Sequence, residues 1–155
     1  MISVALVEPE IPPNTGNIAR LCAAMRVPLH IVGVAGFRLD DRAVRRAGLD
    51  YWPEVLLYRH RDLPALSTAL PGARFVYLTT KVERPYTDWR FGVDDCLVFG
   101  RETRGLPEEL LRSNRESCLT VPMLNPNVRS LNLATSVAIV LSEALRQTGT
   151  FEKQG

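Results

Sequence analysis

The sequence predicts an α/β fold in which a mostly parallel sheet is flanked by helices on both faces. Three observations carry this expectation. Short runs rich in Val, Ile, Leu and Phe recur along the chain without polar alternation, as strands buried on both faces require. Between them lie stretches with apolar residues at helical spacing. Gly, Pro and Asn cluster at the junctions, where they end one element and start the next.

Ile2–Val7 reads as the first strand, stopped by the turn Glu8-Pro-Glu-Ile-Pro-Pro13. Asn14 or Thr15 can cap the following helix, whose stripe Ile18, Leu21, Cys22 and Met25 runs to Arg26, with Arg20 roughly opposite. Leu29–Gly33 is a second strand, Asp40–Ala47 a short helix closed by Gly48, and Glu54–Tyr58 a third strand. A helix over Leu63–Leu70 ends at Pro71-Gly72, and Arg74–Thr79 and Cys96–Gly100 are two more strands. Pro107 initiates a helix, Cys118–Val121 is a further apolar run, and a long helix over Leu131–Arg146 follows. In that helix Ala134, Val137, Ala138, Leu141 and Leu145 form one stripe, while Leu133, Ile139 and Val140 widen it, so a second packing partner is required. A homodimer is the preferred source of that partner, since two-fold pairing is the commonest oligomer.

A chain of 155 residues, 46% hydrophobic and 23% charged, fits one domain spanning 1–155. Cys22, Cys96 and Cys118 each sit in apolar sequence and read as buried reduced thiols. With only His30 and His60, and no CxxC or HxxxH pair, the sequence offers no metal site. No signal peptide or bilayer-spanning run is expected, which points to the cytoplasm. A net charge of +2 gives no strong overall field, yet 17 of the 19 basic residues are Arg, the side chain suited to bidentate phosphate contacts. A GC-rich genome would give the same bias, so composition leaves RNA binding open.

Three polar clusters follow expected strands, where open parallel sheets bind ligands. Pro12-Pro-Asn-Thr-Gly-Asn-Ile-Ala-Arg20 offers a helix start suited to an anion, with Arg20 as a second phosphate contact. In Phe99-Gly-Arg-Glu-Thr-Arg-Gly-Leu-Pro107, Gly100 permits close backbone approach at the strand end and Gly105 an unusual turn. Val121-Pro-Met-Leu-Asn-Pro-Asn-Val-Arg-Ser-Leu-Asn-Leu133 is an irregular loop in which Ser130 can cap the last helix. Neither GxGxxG nor GxxxxGK[ST] is present, so a dinucleotide or NTP site is not supported. No Ser-His-Asp or Cys-His arrangement is evident either.

In this order and spacing, the three clusters resemble the three motifs of the SPOUT family of RNA 2′-O-ribose methyltransferases. Glu8-Pro-Glu-Ile-Pro-Pro-Asn-Thr-Gly-Asn17, Arg45-Arg-Ala-Gly-Leu-Asp-Tyr51 and Leu78-Thr-Thr-Lys81 are most similar to its short, extension-free branch acting on C34 or U34 of tRNA. The resemblance implies a C-terminal trefoil knot, an obligate homodimer and S-adenosylmethionine held by the knot loops. It implies cofactor contacts at Leu78, Gly100, Val121, Ser130 and Leu131. Asn14, Arg20, Glu102, Ser130 and Asn132 match the polar residues tied to catalysis and site architecture. A guanidinium is not readily deprotonated, so Arg20 is expected to grip the adjacent phosphate and stabilise alkoxide charge while a phosphate oxygen or water takes the proton.

RNA contacts are then expected from Arg20, Arg42, Arg45, Arg46 and Arg129, with Arg59-His60-Arg61 as further candidates for the anticodon stem-loop. A wobble nucleotide in a single-stranded loop leaves its base edges and 2′-hydroxyl accessible. Two alternatives stay open: 2′-O-methylation of another tRNA or rRNA nucleotide, and a catalytically silent RNA-binding dimer.

Overall fold

The computed structural model describes residues 1–38, 42 and 49–153. Its strands are β1 (Ser3–Val7), β2 (Leu29–Val32), β3 (Leu57–His60), β4 (Arg74–Leu78), β5 (Asp95–Phe99) and β6 (Cys118–Leu119). They form one sheet in the order β3-β2-β1-β5-β4-β6, and every pair is parallel, as the uninterrupted apolar runs require. The helices are α1 (Pro12–Met25), α2 (Leu63–Ala69), α3 (Glu108–Ser113) and α4 (Leu133–Gln147).

Alternation along the strands separates two cores. Val4, Leu6, Leu97 and Phe99 pack with Ile18 and Cys22 of α1 and Val137, Val140 and Leu141 of α4. Ala5, Val7, Cys96 and Val98 face the other way and meet Leu66 of α2 and Leu111 of α3. The covered side of α4 comprises Val137, Val140, Leu141, Ala144 and Leu145, so the expected stripe is rotated and leaves Ala138 and Ile139 only partly covered.

Several boundaries differ from the sequence expectation, each for a local reason. α1 begins at Pro12, ahead of Asn14 and Thr15, because prolines in a first turn lack N–H groups that would be unpaired anyway; Ile11 is the N-cap and makes no side-chain cap bond. β3 starts at Leu57 instead of Glu54, since Leu49–Glu54 is a 3-10 turn and the ladder opens only where the Leu29 N–H meets the Leu56 carbonyl. The last helix is capped by Asn132, not Ser130: its side chain accepts the Thr135 N–H at 3.3 Å. β6 ends at Leu119 because Thr120 turns to pair with the segment at Arg84–Tyr86. The expected helix Asp40–Ala47 lies outside the described residues except for Arg42, which is helical and exposed.

The three cysteines are free and buried, and burial pushes the Cys22 thiol up to about 12 and the Cys96 thiol to about 11. These are inert packing groups. His30, 3% exposed on β2, stacks on Tyr58, and its Nδ1 lies 2.8 Å from His60 Nε2. Burial, and then the neighbouring His60, lowers its pKa from 6.5 to about 4. The unfolded chain therefore binds the proton that the fold excludes, so stability is fully present above pH 6.5 and falls as pH drops toward 4. The loss amounts to about 3 kcal/mol at most. Urea unfolding at pH 7 and pH 5 will show this slope in the wild type and a shallower one in His30→Gln.

Candidate active site

The C-terminal ends of the neighbouring strands β5, β4 and β6 open into a cavity of about 580 Å³, within the usual range for small-molecule sites. Leu78 and Thr79 come from the end of β4, Phe99 and Gly100 from β5, and Thr120 and Val121 from β6. The irregular segment after β6 supplies Arg129, Ser130 and Leu131, while Asn14 and Asn132 enter from the first turn of α1 and the cap of α4. The crossover order thus gathers positions more than a hundred residues apart. Asn132 Nδ2 donates to Asn14 Oδ1 at 3.0 Å, tying the two helix N-termini together beside the cavity. Their aligned peptide dipoles bias that wall toward anions.

The loop after β5 is clasped to the loop after β1. Glu102 accepts the Glu10 N–H at 3.0 Å and the Ile11 N–H at 2.5 Å. Glu10 in turn accepts the Thr103 hydroxyl at 2.7 Å and the Thr103 N–H at 3.1 Å. Those bonds, followed by the charge of Arg104, hold the Glu10 carboxyl below its ordinary value. Arg101 pairs with Glu8, the residue at which the backbone leaves β1 with φ 51. Glu102 is therefore engaged in fixing backbone at the start of α1. Gly100 allows a close backbone approach, and the backbone approaching it is the chain's own: a Cβ there would lie 2.2 Å from the Gly105 carbonyl carbon.

Of the residues singled out in the sequence, Asn14, Leu78, Gly100, Glu102, Val121, Arg129, Ser130, Leu131 and Asn132 all line this cavity. Arg20 does not. It is exposed on α1, with its guanidinium 4.7 Å from the centre of the Tyr51 ring. Arg59 lies within β3 and Arg61 directly follows it, at the opposite edge of the sheet from β6. Arg45 and Arg46 lie outside the described residues. Sequence reasoning missed the lining hydroxyls of Thr80 and Ser136 and the clasp partners Glu8 and Glu10. The acidic residues of the Pro-rich turn were the available signal, but their partners lie about 90 positions away. Among the described residues no cluster of His, Cys, Asp or Glu could hold a metal ion, and no helix is long and apolar enough to cross a membrane.

An all-parallel α/β sheet whose strand ends carry a cavity built from backbone and loop side chains defines a protein that holds a small organic ligand on loops. The chain belongs to the SpoU rRNA Methylase family, whose model matches residues 1–142. It is 47% identical over 148 residues to a protein from Methylovorus glucosotrophus named tRNA (cytidine(34)-2'-O)-methyltransferase, covering 95% of this chain and 96% of that one. A solved structure concerned with the 2-OH methylation of C/U34 on tRNA superposes with a TM-score of 0.89 at 47% identity, over 95% of both chains. An AdoMet-bound rRNA methyltransferase from Sinorhizobium meliloti gives a TM-score of 0.82 at 25% identity, covering 94% of this chain and 56% of that one.

Proposed function

We propose that this protein methylates the ribose 2′-hydroxyl of the wobble nucleotide, C34 or U34, in the tRNA anticodon loop, with S-adenosylmethionine as methyl donor. One observation carries the reading: the three loops that match the methyltransferase motifs in sequence line a single cavity at the strand ends. The residues present suit the donor. Leu78, Phe99, Val121 and Leu131 offer apolar walls for a purine, and Thr79, Thr80, Ser130 and Ser136 offer hydroxyls for ribose and amino-acid groups. When bound, the donor supplies an electrophilic sulfonium methyl.

The protein's own contribution is positioning, because an in-line displacement needs two reactants held at the right approach. The Glu102 and Glu10 clasp fixes the start of α1 against the cavity, and the Asn14–Asn132 bond fixes α4. Arg20 is the group that would grip the substrate phosphate and stabilise developing negative charge on the ribose oxygen.

The protein acts as a homodimer in this reading. Arg20 lies off the cavity of its own subunit, and Ala138, Ile139, Leu21 and Met25 are incompletely covered on α4 and α1. A second copy packed there covers the apolar surface and brings its Arg20 to the site. The segment from β4 through α4 is read as the trefoil knot. The support is that residues 120–132 leave β6 beside Arg84–Tyr86 and return α4 across β5 onto α1. The chain is read as one domain working in the cytoplasm, where its substrate is.

Purified protein incubated with S-adenosylmethionine and with unmodified and native tRNA pools will yield a new ribose methyl at the wobble position, mapped by nuclease digestion and mass spectrometry. Methylation confined to another tRNA or rRNA nucleotide would keep the chemistry and overturn the substrate assignment. Donor binding without transfer to either tRNA pool would point to an rRNA substrate or a missing partner, and failure to bind the donor would favour a silent RNA-binding dimer.

A further inference from the structure

We infer that Arg104, at the mouth of the cavity, binds an RNA backbone phosphate next to the ribose being methylated. The inference rests on the methyltransferase reading and extends it to a residue that reading leaves unused. Arg104 sits on the turn Arg101–Gly105, closed by an antiparallel bridge in which the Gly105 N–H donates to the Arg101 carbonyl at 2.9 Å. Gly105 adopts φ +67, and the turn folds back so tightly over Gly100 that no Cβ fits between them. The backbone that carries Arg104 is therefore fixed.

Three consecutive side chains of this turn are consumed inside the molecule: Arg101 by Glu8, Glu102 by the amides of residues 10 and 11, and Thr103 by Glu10. Arg104 alone is left over. It is exposed, lines the cavity, and has no hydrogen bond or ion pair among the described residues; Glu10, whose Oε1 accepts both Thr103 bonds, feels its charge without pairing with it. A rigid turn that spends its other polar groups on itself presents one guanidinium to whatever enters.

The chemistry of the entrant selects phosphate. A ribose presented by its 2′-hydroxyl brings the phosphates on its 5′ and 3′ sides to the rim, since charged groups are costly to desolvate in the apolar interior. Exposed guanidiniums at the rim meet them there with charge-assisted, bidentate hydrogen bonds. Arg129, also exposed on the loop after β6, lines the same cavity and is available, beside Arg20, to the second phosphate. The methyl donor's carboxylate is the other anion that Arg104 could meet, and the experiment separates the two.

The test compares wild type, Arg104→Ala and Arg104→Lys. Measured are kcat and KM for tRNA, equilibrium tRNA binding across a salt series, and S-adenosylmethionine affinity by calorimetry without RNA. In Arg104→Ala the KM for tRNA is expected to rise about tenfold with kcat within about twofold, and the slope of log K against log salt to become shallower by roughly 0.7–0.9. Donor affinity stays unchanged, and Arg104→Lys recovers most of the slope because a point charge still neutralises one phosphate. An unchanged slope overturns the inference. So does a loss of donor affinity matching the rise in KM, which would assign Arg104 to the donor carboxylate. If wild type methylates no RNA, the underlying reading fails separately, and the binding slope still decides what Arg104 contacts.

Discussion

Arg20→Ala is expected to lower kcat for methyl transfer by about a hundred- to a thousandfold, while leaving the fold and donor binding intact. The side chain is exposed, and among the described residues its one polar or ring contact is the face of Tyr51 at 4.7 Å, which contributes about 0.5–1 kcal/mol at such a site. Thermal denaturation will thus barely move. The cavity is lined without Arg20, so calorimetry with S-adenosylmethionine will also return the wild-type affinity. The same geometry makes a sharper prediction. If Arg20 serves the partner's cavity, co-expressing Arg20→Ala with the cavity variant Asn132→Ala will restore activity to two inactive proteins. Random pairing makes half the dimers mixed, each with one intact site of two, so about a quarter of wild-type activity returns. Continued inactivity of the mixed dimers would place Arg20 at its own subunit's site and remove this argument for the dimer.

Gly100→Ala is expected to cost at least about 3 kcal/mol of stability and to eliminate donor binding. An added Cβ would lie 2.2 Å from the Gly105 carbonyl carbon and 2.3 Å from the Leu106 nitrogen. Both obstacles are backbone, so no rotamer change relieves the clash. The whole turn must lift, pulling Glu102 and Thr103 from their partners and opening the wall that Gly100 and Gly105 share. Gly72→Ala is the control: its φ of +83 strains an alanine, but nothing lies within 4 Å of the new methyl and the position is outside the cavity. It should lose about 1–3 kcal/mol and bind donor normally. Equal donor affinity in Gly100→Ala and wild type would show that the turn is not part of the donor site.

The strands that were easiest to read are those buried on both faces. Ser3–Val7 and Asp95–Phe99 are uniformly buried, and their apolar runs match that to within a residue. β3 starts at Leu57, later than the apolar run Val55-Leu-Leu-Tyr58 suggests, because the 3-10 turn Leu49–Glu54 ends at Glu54 and Val55 and Leu56 lead out of it before the ladder opens. That turn is fixed by packing of Trp52 against the core, a long-range contact that local periodicity does not contain. The caps behaved alike. Asn14, Ser130 and Asn132 are all competent N-caps by residue type. Which one caps is settled by where Pro12 starts α1 and by the Asn132–Asn14 bond across 118 positions.

The residue types of the site were legible because chemistry restricts them: an unhindered glycine at a strand end, asparagines at helix starts, a carboxylate between arginines. By itself, then, the sequence determined a mostly parallel α/β sheet, a site assembled from three loops and the residues available to it. Only the tertiary structure decided which of those residues meet. It turned Glu102 inward onto two backbone amides, left Arg104 facing the cavity mouth and carried Arg20 away from it. The physical reason is that period and propensity act over a few residues, whereas strand order and close backbone packing fix contacts between segments about 90 or more positions apart.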